Sequence, residues 1–316
     1  MYKIITFPKT RGYEICTRIL ANENFAMTSL IQCNSVGCFF IKDEELDAFS
    51  KLMGRAGYLV SEQVKVMLHS QEIPWGVEHM GAPALWDVTK GAGVKVAVID
   101  TGISSSHPDL KGRVKAQKII NKESGSGRQS SGHGTHVAGT IAAVYNDSGI
   151  VGIAPEVELY DVQAFGAEGT ANMSDIIEGI NWAIEQDVDI INMSFGTPEY
   201  HHALHQAIRA AKRAGIVLVA SAGNSGGALE YPGAYKEVTA VGAINQEARL
   251  ADFSSRGKGM NTVAPGVEIK STWGNRGYKV LNGTSMAAAH ISGLYALQIA
   301  KRKRGRRSRV SRIANL

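Results

Sequence analysis

From residue 93 onward the sequence repeats one texture: short uninterrupted apolar runs, closed by glycine or a polar residue, alternate with segments of helical periodicity. The runs cover residues 94–99, 159–162, 189–193, 216–220 and 238–241, and the helical segments cover 173–186 and 202–214. Strands that read as continuous apolar runs are buried on both faces, as in a parallel sheet whose crossover helices cover both sides. The expected fold is therefore α/β, a doubly wound, mainly parallel sheet with helices on both faces. Ligands of such sheets bind beyond the carboxyl ends of the strands. That rule nominates Asp100, Ser194 and Asn224, which follow three of the runs.

The first 69 residues have a different pattern. Two strand-like runs, 2–7 and 37–41, are followed by an acidic helix candidate over 43–53 with Leu46, Phe49 and Leu52 at helical spacing, and then by alternation over 57–66. A small α+β domain is expected there. Residues 69–74, polar and closed by Pro74, read as a linker. A chain of 316 residues suits this division into a small domain, 1–69, and a larger one, 70–300, followed by a basic tail, 301–316.

The net charge of +5 belongs to that tail. Residues 301–316 hold eight Lys or Arg and no acid, which leaves 26 basic against 29 acidic groups in the rest of the chain. Such a run could contact nucleic acid or an anionic membrane surface, but a solvated, frayed terminus is the favoured expectation. Outside it, only residues 122–132, rich in Ser and Gly, are compositionally biased. The three cysteines, Cys16, Cys33 and Cys38, all precede residue 40 and give no disulfide framework. No apolar stretch has transmembrane length and the N-terminus as given carries no signal-peptide run, so a cytoplasmic location is expected, with secretion as the alternative.

Three short motifs bear on chemistry: Ile99-Asp100-Thr101-Gly102, His133-Gly134-Thr135-His136, and Asn282-Gly283-Thr284-Ser285-Met286-Ala287. A serine hydroxyl is a weak nucleophile until a base takes its proton. An imidazole is matched to that task near neutral pH, and the imidazolium it becomes needs a buried carboxylate to hold its tautomer. In this order, Asp then His then Ser, the motifs closely resemble those of the subtilisin family of serine endopeptidases. The resemblance covers roughly residues 70–300 and extends in part to the first domain, which looks like the family's inhibitory propeptide.

The resemblance implies a catalytic triad of Asp100, His133 and Ser285, with His136 a structural residue and Asn224 the side-chain donor to the oxyanion. It implies polypeptide substrates, the chain's own propeptide as an intramolecular inhibitor, and removal of that propeptide near His69–Ser70; a monomer is expected. Ser194, Phe195 and Gly196 match the strand to which the substrate adds, with Gly169 flanking it and Met173 and Phe195 as pocket walls. Glu230 falls at the floor of the first specificity pocket, where a carboxylate favours Arg or Lys before the cut. Gln71, Asp109, Val144, Asn146, Ser148 and Ile150 match the family's Ca²⁺ site, a set of hard oxygen ligands.

The chain departs from the family in two places. Ala289 stands where a proline is usual, which lets the helix carrying Ser285 settle differently and is expected to reduce hydrolysis without abolishing it. The catalytic unit also reads as truncated at its C-terminus, with the basic run in place of further elements. The competing reading is a pseudoprotease acting as a regulatory binding module.

Overall fold

The computed structural model describes residues 2–22, 30–54, 57–63, 70–121 and 132–314, without the side chains of 306–314. Within that span two compact units divide between residues 68 and 69. Most of the Ser- and Gly-rich segment 122–132, the end of the alternating run at 64–66, and His69 lie outside the described residues.

The first unit contains β1 (Tyr2–Thr6), α1 (Thr10–Asn22), β2 (Ile31–Cys33), β3 (Cys38–Lys42), α2 (Leu46–Met53) and β4 (Leu59–Glu62). Its sheet is antiparallel, in the order β2-β3-β1-β4. Ile5, Phe39 and Ile41 meet Cys16 of α1 and Phe49 and Met53 of α2 in a small core. The acidic stretch expected to open the helix forms a separate 3₁₀ turn, Asp43–Glu45, and the α-helix starts at Leu46. Helix α1 and strand β2 were not expected from the sequence.

The second unit begins with two short helices, α3 (Trp75–His79) and α4 (Pro83–Trp86). There follow β5 (Lys95–Asp100), β6 (Val114–Ile119), α5 (Gly132–Ala142), β7 (Glu158–Gln163), α6 (Met173–Glu185), β8 (Ile190–Met193), α7 (His202–Arg213), β9 (Val217–Ser221), β10 (Thr239–Ile244), β11 (Met260–Pro265), β12 (Ile269–Trp273), β13 (Gly277–Leu281) and α8 (Thr284–Ala314). Seven strands form one parallel sheet in the order β11-β10-β9-β8-β5-β7-β6, and β12 and β13 form a separate hairpin. This is the expected doubly wound α/β architecture.

Successive residues of a strand face opposite sides of a sheet, and β5 shows the consequence. Val96 and Val98 join a core with Val137 and Ile141 of α5 and Met286 and Leu297 of α8, while Ala97 and Ile99 join Ile176 and Ile180 of α6 and Leu204 and Ile208 of α7. After β7 the chain crosses from one side of β5 to the other, so the loops following β5 and β8 diverge. The crevice that this reversal opens lies at the carboxyl ends of the strands.

The basic run departs from expectation. Residues 301–314 continue α8, and its first turn is tied down: Lys303 Nζ pairs with Asp189 at 2.8 Å and donates to the Gly93 carbonyl at 3.0 Å, and Arg304 donates to the Val88 carbonyl. Among the described residues no helix is long and apolar enough to cross a membrane.

Candidate active site

Asp100 ends β5, and its carboxylate is almost wholly enclosed, with 4% of the side chain exposed. Oδ1 accepts from the Thr101 N–H at 2.8 Å and from the Thr101 hydroxyl at 3.1 Å. His133, the second residue of α5, completes the shell: its Nδ1 lies 2.8 Å from Oδ1 and 2.9 Å from Oδ2. The nitrogen that faces a carboxylate carries the ring proton, which leaves the lone pair on Nε2. Gly134 permits this approach, since a Cβ there would sit 2.6 Å from the Gly102 carbonyl oxygen and 3.1 Å from Asp100 Oδ1. Burial opposes protonation of His133, but the charge of Asp100 and its hydrogen bond outweigh it, and the imidazole pKa rises above its ordinary value.

The second histidine of the motif has a different role. His136 Nε2 lies 3.0 Å from the carbonyl oxygens of both Ile269 and Lys279, so it ties α5 to the β12–β13 hairpin, and its Nδ1 is buried without a partner among the described residues. Burial pushes its pKa down to about 4, and does the same to His290 of α8, whose Nδ1 bonds the Met286 carbonyl. Both are neutral core residues.

Ser285 lies in the first turn of α8, where the helix N-terminus favours developing negative charge. Its Oγ donates to the Ser194 carbonyl oxygen at 3.0 Å rather than to His133, and Ser194 Oγ donates back to the Ser285 carbonyl at 3.1 Å. Asn224, exposed after β9, accepts at Oδ1 from the N–H and the hydroxyl of Thr284, both at 2.9 Å. Those bonds cap α8 and turn the amide group of Asn224 toward Gly283, 3.7 Å from where a Cβ on that glycine would stand. Ala289, where a proline was expected from the family, is fully buried in the core beside Ala287 and Ala288.

The residues matched to the family's substrate strand, Ser194, Phe195 and Gly196, follow the carboxyl end of β8. Thr197 and Tyr231 pair through two backbone bonds of 2.8 Å, which brings Glu230 beneath the end of β8. A Cβ added to Gly196 or to Gly223 would overlap the Glu230 carboxylate, so the two glycines form a slot with a charged group in it. Met173 and Phe195 line a cavity of about 100 Å³ with Phe165, Ile176, Leu204 and Tyr231. Gly169 adopts φ +74° in the neighbouring loop, where its N–H bonds the Gly166 carbonyl.

The Ca²⁺ set also converges. Gln71 Nε2 stands among four oxygens: Val144 O at 2.6 Å, Ile150 O at 3.0 Å, Ser148 O at 3.1 Å and Asn146 Oδ1 at 3.3 Å. An amide nitrogen has two hydrogens and cannot serve four acceptors; a small ring of oxygens is what a hard cation needs. Asp109 closes the loop, its Oδ2 accepting from the Ile150 N–H and the Tyr278 hydroxyl at 2.9 Å each. Gly149, at φ +60°, lies so close that a Cβ would overlap that carboxylate. The residues fit the ion.

Three residues of this region were missed in the sequence. Tyr278 holds Asp109 from the hairpin, and Trp273 covers the start of α5 so closely that Gly132 has no room for a side chain. Asp161 of β7 is fully buried: Oδ2 accepts from Ile103 N–H and Gln117 Nε2, and Oδ1 has no partner among the described residues. Burial, then repulsion from Asp100, pushes its carboxyl up to about 7. A charged residue inside the apolar run 159–162 was the available signal.

The subtilase family model matches residues 91–313. That span includes Asp100, His133, Asn224 and Ser285. The chain belongs to the subtilase family. It is 42% identical over 259 residues to the alkaline protease of Alkalihalobacillus alcalophilus, an alignment covering 81% of this chain and 67% of that protein. It is 43% identical over 256 residues, 78% of each chain, to the intracellular serine protease of Paenibacillus polymyxa. Subtilisin Savinase of Lederbergia lenta is 45% identical over 230 residues, 72% of this subtilase and 84% of that protein. This subtilase is a serine-type peptidase.

Proposed function

We propose that this subtilase hydrolyses peptide bonds through Asp100, His133 and Ser285 by way of an acyl-enzyme. The observation that carries the reading is the bond from His133 Nδ1 to Asp100, one partner enclosed and the other with 34% of its side chain exposed to the crevice. A substrate adds as a strand along residues 194–196 by main-chain hydrogen bonds. The Ser285 hydroxyl turns from the Ser194 carbonyl to His133 Nε2 and gives up its proton as Oγ attacks the scissile carbonyl. Asp100 stabilises the imidazolium, consistent with the raised pKa of His133. Asn224 Nδ2–H and the Ser285 N–H receive the oxyanion at the head of α8. His133 then protonates the leaving amine, and water repeats the cycle on the acyl-enzyme.

Glu230 in its glycine slot suits a cationic side chain before the cut. Residues 1–69 serve as an inhibitory propeptide, removed by self-cleavage near residue 69. Gln71, Asp109, Val144, Asn146, Ser148 and Ile150 would hold Ca²⁺, whose fixed charge fastens the segment around Gln71 to the loop 144–150. The enzyme works as a monomer in the cytoplasm, a placement supported by the likeness to a relative named intracellular.

A serine-directed phosphonate tests the nucleophile. Mass labelling confined to Ser285 is the expected result, and an unlabelled folded chain would favour the pseudoprotease reading.

A further inference from the structure

All three thiols of the chain lie in its first unit, and two of them face one another. Cys33 ends β2, Cys38 begins β3, and they are direct Cα partners across the antiparallel pair. Partners in such a ladder stand about 4.5–5.5 Å apart at Cα, inside the span of about 4.4–6.8 Å that a disulfide bridges without moving the backbone. The four residues between them are already folded back: Asn34–Val36 form a 3₁₀ turn, and Gly37 takes the left-handed conformation, φ +63°, that returns the chain into β3. Burial, and after it the neighbouring Cys33 thiol, raises the Cys38 thiol above its ordinary pKa.

The environments divide the labour. Cys33 is partly exposed, so a small disulfide in solution reaches it, whereas Cys38 is 8% exposed and waits behind it. Cys16 is fully buried in the core, with its thiol pushed up to about 12 by burial, and is out of play.

We infer that Cys33 and Cys38 form a reversible dithiol–disulfide site that oxidation closes across the β2–β3 hairpin. With glutathione disulfide as oxidant, the Cys33 thiolate attacks one sulfur and displaces a glutathione thiolate, leaving a mixed disulfide. Cys38 then loses its proton to solvent and attacks Cys33 Sγ, expelling the second glutathione. Two protein thiols are oxidised and one glutathione disulfide is reduced to two thiols. The link constrains the unfolded state of a unit whose core, among the described residues, has six buried side chains, so it holds that unit folded. On the reading of residues 1–69 as the inhibitor, oxidation delays release of activity.

The test uses the full Ser285→Ala chain, incubated with glutathione disulfide or with a thiol reductant, then denatured, alkylated and digested with trypsin. Residues 19–42 form one tryptic peptide that contains both cysteines. Oxidised, this peptide is expected about 2 Da lighter than the dithiol form and free of alkyl groups, with Cys16 alkylated in both samples. Cys38→Ser is expected to stall as the glutathione adduct of Cys33. Two alkylated thiols after oxidation, a persistent adduct in the unsubstituted pair, a link to Cys16 or a dimer between chains would each overturn the site. In the chain with Ser285 intact, activity is expected at least about threefold later when oxidised than when reduced, a delay absent in Cys33→Ser. A closed link without delay overturns the regulatory role. The reduced chain alone reports whether residues 1–69 restrain activity, so that failure is read separately.

Discussion

Ser194 and Ser285 bond to each other twice, each hydroxyl donating to the other's backbone carbonyl at 3.0 and 3.1 Å. The pair joins the end of β8, the proposed substrate strand, to the first turn of α8. It is backed by Asn192, whose Nδ2 donates to Ser194 Oγ at 2.8 Å and whose Oδ1 accepts from Ser292. Ser194→Ala leaves the buried Asn192 amide and the Ser285 carbonyl short of a partner, at a cost of about 1–3 kcal/mol. The expected result is a thermal midpoint lower by roughly 3–10 °C and a kcat that falls more than KM rises. Unchanged values of both would remove the pair from the account.

Glu230 lies between Gly196 and Gly223 with no room for a side chain on either. A hydrogen bond to a charged partner contributes about 1.5–3 kcal/mol. Glu230→Gln is therefore expected to lower kcat/KM for peptides with Arg or Lys before the cut by about 10- to 100-fold relative to Leu. A competition assay on paired peptides measures it, and an unmoved ratio would refute the specificity reading.

Acid should unfold the second unit in a defined window. His136 and His290 have pKa values lowered to about 4 by burial, against 6.5 when unfolded. The unfolded chain binds protons first, so stability falls as pH drops from 6.5 toward 4. Asp161 works against this: its carboxyl, raised to about 7 from 3.8, contributes stability present below 3.8 and lost as pH rises through 7. Two histidines outweigh one carboxyl, so the net slope is acid-destabilising, by a few kcal/mol over the window. Thermal midpoints from pH 7 to 4 should fall, and Asp161→Asn should steepen the fall. A flat profile in both chains contradicts the assignment.

Chelation should act on the loop 144–150. At about 100 times its dissociation constant a bound ion contributes about 2.7 kcal/mol, or roughly 5–10 °C in a domain of this size. Removing Ca²⁺ is expected to lower the midpoint by that amount in the unmodified chain and by nothing further in Asp109→Ala. If chelation leaves the unmodified chain unchanged, the oxygen ring around Gln71 does not hold the ion.

The central strands were legible because both faces of β5, β8, β9 and β10 are buried, and burial on both faces writes a continuous apolar run. Edge strands were not: β6 is half-exposed along its whole length, and its alternating Val114–Ile119 has no such run. Helix α1 contains Gly12 and three charged residues, and its apolar positions become coherent only against the Phe39 core. Within the site, the Asp, His and Ser motifs were legible through their resemblance, taken together and in that order, to those of the subtilisin family. The Ser194–Ser285 pair did not, because 91 residues separate two hydroxyls whose meeting depends on sheet order.

The central claim is that Ser285 is the nucleophile of a self-processing peptidase. The most direct measurement is the intact mass of the purified chain over time in Ca²⁺, alongside Ser285→Ala. Loss of about the first 69 residues from the unmodified chain alone is the predicted result. Two chains that both stay full length, or both lose the segment, would contradict it.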